Sequence, residues 1–230
     1  MALRRTIQYS RISAVRRGRV GEVNEAITGG TRLAPGRRAF PVARLATLAL
    51  AGFLAGCGGN APPPTFDLLA PRDNLSVRPG RGLIVVAEPS ALAALDTTRL
   101  VVMTRGGGIA YIGDAQWSDR LPKLVQVRLI QTFENAKRLT GVGRPGDRLL
   151  PMAQLNSEIR RFGIDEATGE AVIEMSVKIV QDSTGRILAG QIFTRSVPSG
   201  GSGGPVAAAA LDLAMQDMLR DIVRWTSARI

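Results

Sequence analysis

Residues 170–182, EAVIEMSVKIVQD, decide the fold class. Ala171, Ile173, Met175, Val177 and Ile179 fall on one side of an extended chain, and Glu174, Ser176 and Lys178 fall on the other. Successive side chains of a strand point to opposite faces, so this stretch reads as a strand with one face on a core and one face wet. Turn chemistry stands at each end, Asp165-Glu166-Ala167-Thr168-Gly169 before it and Asp182-Ser183-Thr184-Gly185 after it. Residues 154–160 and 186–197 are therefore predicted to pair with it antiparallel.

Working outward, residues 199–205 (SGGSGGP) read as a flexible loop, and residues 206–228 as a helix. Leu211, Met215, Met218, Ile222 and Trp225 repeat at spacings of four and three, an apolar stripe suited to packing on the sheet. Upstream, residues 119–139 carry a second stripe: Leu121, Leu124, Val125, Leu129, Phe133, Ala136 and Leu139. Ser118 or Asp119 is placed to cap that helix, Pro122 suits its first turn, and Gly141, Gly143 and Pro145 are expected to end it. Residues 100–104 and 109–112 flank Gly106-Gly107-Gly108, the pattern of a hairpin. Residues 82–87 (GLIVVA) read as a buried strand and residues 66–69 (FDLL) as a short one. Residues 90–95 (SALAAL) are at most a short helix with Ser90 as its N-cap. The sum is an α/β chain of the α+β kind. Residues 65–230 form a single domain, a mixed and mostly antiparallel sheet packed by two long helices.

The first 56 residues read differently. Residues 45–56 (LATLALAGFLAG) are free of charge, follow Arg32, Arg37, Arg38 and Arg44, and end in Leu54-Ala55-Gly56-Cys57. A basic segment, a short apolar run and small residues before a cysteine make a bacterial lipoprotein signal peptide with its lipobox. On this reading residues 1–56 are removed, the Cys57 thiol takes acyl chains such as palmitate, and residues 57–64, with their three prolines, form a tether. The alternative is a short buried helix ending in a core cysteine; a spanning helix needs about 20 apolar residues. Arg37-Arg38-Ala39-Phe40 partly matches a twin-arginine export signal, although the general secretory route fits the context better. Gly58, rather than Asp, follows the cysteine, which points to the outer membrane and its periplasmic face.

Charge follows the same division. The chain carries a formal +11, but residues 1–56 hold ten Arg and two Glu and so supply +8 of it. The remaining +3 does not support nucleic-acid binding. The chain has no histidine and one cysteine, which removes Ser-His-Asp, Cys-His and His-based metal chemistry. The glycine clusters lack the Lys and Ser/Thr of a phosphate loop: Gly203-Gly204 leads into Pro205-Val206-Ala207, and Gly106–Gly108 into Ile109-Ala110. Asp114 and Asp119, flanking Trp117 in an expected loop, are the one carboxylate pair that could serve a hydrolase. An acid before a helix is more commonly a cap. Tyr111 and Trp117 are candidate partner contacts, with core packing as the competing reading.

Several of these features recur together in one family. The lipobox at 54–57 is followed by Pro62–Pro64, Phe66-Asp67-Leu68-Leu69 and Leu83-Ile84-Val85-Val86. Then come Leu100-Val101-Val102-Met103-Thr104-Arg105, Ile109-Ala110-Tyr111 and Trp117-Ser118-Asp119-Arg120-Leu121-Pro122 before the long helix. In this order the chain resembles the ABC-type transport auxiliary lipoprotein component family (PqiC-like), over residues 57–230, with Gln116 where the signature has Arg. The resemblance implies a non-enzymatic lipoprotein with no cofactor beyond the lipid on Cys57. It implies partners too: an inner-membrane ABC transporter with a mammalian-cell-entry (MCE) domain component, in a system that moves lipid between membranes. A homo-oligomer is compatible with a symmetric partner. The rival reading is an envelope structural or assembly lipoprotein that binds glycan or an outer-membrane protein.

Overall fold

The computed structural model describes residues 62–72, 82–201 and 203–230. The predicted signal peptide, its lipobox and Cys57 lie outside the described residues, as does the expected tether before Pro62.

The predicted central strand is there. β8 (Glu170–Gln181) lies between β7 (Ala153–Asp165) and β9 (Ile187–Pro198), antiparallel to both along nearly its whole length. Gly169 and Gly185 close the two turns at φ +70° and +67°, conformations that glycine adopts without steric penalty. All five residues predicted to face the core are fully buried. The opposite face is less wet than the alternation implies, because Val172 and Ser176 are covered as well. β8 has a strand on both sides, and a side chain as small as Ser176, set between Glu158 and Ile192, is shielded by its neighbours.

The far edge of β7 carries the rest of the sheet. β2 (Leu83–Val86) runs parallel beside Ala153–Leu155, β3 (Ser90–Ala91) beside Glu158–Ile159, and β4 (Arg99–Met103) beside Ile164–Asp165. β4 turns back as the expected hairpin into β5 (Ile109–Trp117), Gly107 holding the turn at φ +78°. β1 (Thr65–Phe66) adds to β5, and β6 (Gly141–Gly143) adds to β2, both parallel. Among the described residues the sheet has nine strands. Its long ladders are antiparallel, and its five parallel pairings are short.

Four expectations need correction. Residues 90–95 are not a helix: Ser90 and Ala91 pair with β7, and a turn follows in which Leu95 N–H donates to Leu92 C=O. The first strand covers only Thr65–Phe66, not residues 66–69. The first helix, α1, is Leu121–Ala136, with Arg120 at its N-cap in place of Ser118 or Asp119. It ends at Lys137, which takes a left-handed conformation (φ 50°) and donates its N–H to Phe133 and Glu134 C=O. Gly141 and Gly143 thus do not stop a helix but pair with Leu83 and Val85. The second helix, α2 (Gly204–Ser227), starts inside the predicted loop, with Gly203 at its N-cap and Pro205 in its first turn.

α2 packs across β4, β5, β7, β8 and β9, and α1 packs beside it over β2 and β6. The α2 stripe is buried throughout, Leu211, Met215, Met218 and Ile222 completely. Burying one such side chain contributes about 1.5–3 kcal/mol. Trp225 meets Phe193 of β9 edge-to-face, ring centroids 5.7 Å apart. The sheet's other side carries an ion-paired surface in which Arg160 bonds Glu158 (3.1 Å) and approaches Glu174 (3.9 Å).

Candidate docking region

β5 carries the residues singled out as possible partner contacts, and the fold separates them. Trp117 is at the buried end of the strand, 2% exposed, with its ring edge-on to Phe162 of β7 at 6.0 Å. Its N–H and C=O neighbours are engaged too: Trp117 N–H donates to Thr98 C=O and Ser118 N–H to Phe66 C=O. The indole is a packing element, and its surface is not presented outward. Tyr111 is half-buried. Its hydroxyl donates to Ala94 C=O at 3.3 Å, and the Arg99 guanidinium lies over its ring, 3.7 Å from the centroid. A guanidinium over a ring face is a cation–π contact, worth about 0.5–1 kcal/mol at an exposed site.

The segments that follow Ala94 and Trp117 carry ion pairs. Arg120 binds Asp96 through two nitrogens at 2.5 and 2.6 Å and reaches Glu88 at 3.6 Å. Lys123 pairs with Asp119 at 2.6 Å, one helical turn apart. The hydrogen bond from Arg120 holds the Asp96 carboxyl below the usual range, and that from Lys123 does the same for Asp119. Both acids are therefore fixed anions with cation partners. Such exposed pairs define a pattern of charge and contribute little stability.

Asp114 is on a strand, not in a loop. Its carboxylate accepts the Gly204 N–H through both oxygens, at 3.1 and 3.2 Å. The start of α2 has no side-chain cap of its own, and this acid, 90 residues away in sequence, supplies one. The approach is close: a Cβ on Gly204 would stand 2.5 Å from Ala115 Cβ and 2.6 Å from Asp114 Oδ1. Asp114 is thus the cap of a helix distant in sequence, and Asp119 is a member of an ion pair. Among the described residues no cluster of three or more Cys, Asp or Glu is placed to hold a metal ion.

A second feature was not visible in the sequence. The segment entering the domain, residues 63–71, is strapped across the two helices. Gln116 Nε2 donates to Thr65 Oγ1 at 3.1 Å, and Asp67 pairs with Arg128 of α1. Leu68 is fully buried, Leu69 N–H donates to Asp212 of α2 at 2.7 Å, and Asn135 donates to Pro71 C=O at 2.8 Å. A cleft of about 680 Å³ lies beside this strap, but Arg128, Asn135 and Gln216 on its walls are engaged in holding the strap or Asp212. No local motif announces these contacts, because those that hold the strap join residues 51 to 143 positions apart.

Burial raises the Asp212 carboxyl above its ordinary value, against the hydrogen bonds from Leu69 and Gln216 that lower it. A carboxyl raised on folding favours the fold in its protonated form. That contribution is complete below the ordinary value and is lost as pH rises through the folded one. Asp212→Asn removes this dependence. Its melting temperature relative to wild type is expected to rise between about pH 3 and about pH 7. A difference that stays constant across that range contradicts the assignment.

The mixed nine-stranded sheet with both helices packed on it, entered by a strapped N-terminal segment, defines a mixed α/β domain. Residues 66–223 match the family model of the ABC-type transport auxiliary lipoprotein component, and the chain belongs to that family. An uncharacterized protein of Bradyrhizobium diazoefficiens is 33% identical over 186 residues, 77% of this chain; the chain spans about half the length of that relative. A crystal structure of a Xanthomonas campestris protein superposes with a TM-score of 0.65 at 24% identity, covering 71% of this chain and 94% of its own. A second, uncharacterized crystal structure gives 0.58 at 14% identity, covering 72% and 99%. These two share the fold. Among the described residues no helix is long and apolar enough to cross a membrane.

Proposed function

We propose that the chain is a non-catalytic lipoprotein, held by acyl chains on Cys57 at the periplasmic face of the outer membrane. There it serves as the docking subunit of an ABC transporter whose MCE-domain component moves lipids across the periplasm. The family match over residues 66–223 carries the reading. The position of the single cysteine, at the end of a charge-free run, supports the anchor.

The strap gives the anchor a mechanical consequence. Because the chain is fixed to the domain from Pro63 onward, only the six residues from Cys57 to Pro62 separate the domain from the lipid. Fully extended, they reach about 20 Å. The domain therefore works close to the membrane, and a partner arriving there meets it at high effective concentration. Each buried CH₂ of the anchor contributes about 0.8 kcal/mol, so two or three chains hold it durably. The Tyr111–Arg99 stack and the ion pairs of Arg120 and Lys123 are the proposed contact surface, with Trp117 supporting it from inside.

Cys57→Ala is expected to move the protein out of the outer-membrane fraction and to remove the acyl mass from the intact species. A wild-type chain that fractionates as soluble, with its leader uncut and no added mass, sinks the anchor proposal.

A further inference from the structure

The ends of β4, β5 and β7 and the first turn of α2 border a half-open pocket of about 400 Å³ that the docking proposal does not use. Ile164 and Ala207 are buried at its floor, Val102 and Ile112 line it half-exposed, and the Ser199–Gly201 backbone forms its lip. Ser199 is itself buried, its hydroxyl donating to Gly201 C=O at 2.9 Å and its N–H to Gly169 C=O at 3.1 Å. Gly200, at φ +71°, has no side chain to fill the opening.

We infer that this pocket binds the single acyl chain of a neutral lipid. The size fits one chain: a cavity of about 150 Å³ accepts benzene, so this one has room for roughly 12 to 16 carbons and not for two chains. The chemistry fits an uncharged head. Among the described residues, the one ionisable residue lining the pocket is Glu166, which already accepts the Arg105 N–H at 3.1 Å. Among the described residues no lysine or arginine lines it to receive a phosphate or a carboxylate, and an anionic head would face the Glu166 carboxylate. A hydroxyl-bearing head such as glycerol can donate to that carboxylate while the chain lies on Val102, Ile112 and Ile164.

The test uses the full chain in phosphatidylcholine nanodiscs and a monoacylglycerol whose chain of about 12 carbons ends in a diazirine. Illumination is expected to label peptides containing Val102, Ile112 or Ile164, and excess unlabelled monoacylglycerol to suppress the labelling. Ile112→Trp, which fills the pocket, should reduce it by about tenfold. Should that variant not fold, Glu166→Lys, a surface change, serves instead: it is expected to turn dodecanoate from a poor competitor into a good one. Labelling scattered over the surface, uncompeted, or indifferent to both substitutions overturns the inference. The readout is taken on the isolated protein, so it stands or falls independently of any transporter partner.

Discussion

Trp117→Ala should destabilise the domain by about 3–5 kcal/mol, the range for emptying a buried aromatic site. At about 2–4 °C per kcal/mol for a domain of this size, the melting temperature falls by roughly 6–20 °C. The indole is buried and meets Phe162 edge-on, so its removal leaves a cavity between β5 and β7 and frees the strand that carries Asp114, the cap of α2. Trp117→Phe keeps most of the volume and should retain both fold and partner capture. The two variants separate packing from contact. A Trp117→Ala protein that melts within a couple of degrees of wild type yet loses its partner shows the ring to be a docking residue, against the structure.

Gly163→Ala is the second large effect, expected at about 3 kcal/mol through overpacking. A Cβ at this position would lie 2.5 Å from the carbonyl oxygen of Val101 and 3.1 Å from its carbonyl carbon. Backbone rather than a flexible side chain is in the way, so β4 would have to move off β7, where Val102 pairs with Ile164. Thermal unfolding should show a loss of close to 10 °C. Gly113→Ala, at a strand position with open space around the Cβ, is the control and should change little. Equal melting temperatures for the two variants contradict the close approach of β4 to β7.

These two sites also mark where sequence reading ends. The alternation of residues 171–179 is period-two over nine positions, so β8 and its two partners were legible, as was the α2 stripe. The hairpin showed through its glycines. The short parallel pairings were not legible: β3 and β6 have two and three residues, too few for any period to show. Ser90-Ala91 resembles a helix start locally and becomes a strand because β7 offers thirteen residues of edge to pair with. The end of α1 was overshot because a lysine, not a glycine, adopts the left-handed conformation there.

The candidate site was legible in part. Cys57 and its lipobox rest on local sequence chemistry alone and lie outside the described residues. Tyr111 and Trp117 were picked out by type, but type does not tell which ring is buried. That depends on strand direction: Trp117 is at the covered end of β5, beside β1, whereas Tyr111 sits under the exposed Arg99. The Asp67–Arg128 and Leu69–Asp212 latches depend on the packing of both helices, and no spacing rule reaches them.

The measurement that tests the central claim most directly is affinity capture of the intact, membrane-bound chain from gently solubilised envelopes, with its partners identified by quantitative mass spectrometry. The account predicts co-recovery of an ABC permease, its ATPase and an MCE-domain protein, strongly reduced for Cys57→Ala and retained for Trp117→Phe. Recovery of none of these components with a folded, acylated bait contradicts the assignment as a transport auxiliary subunit.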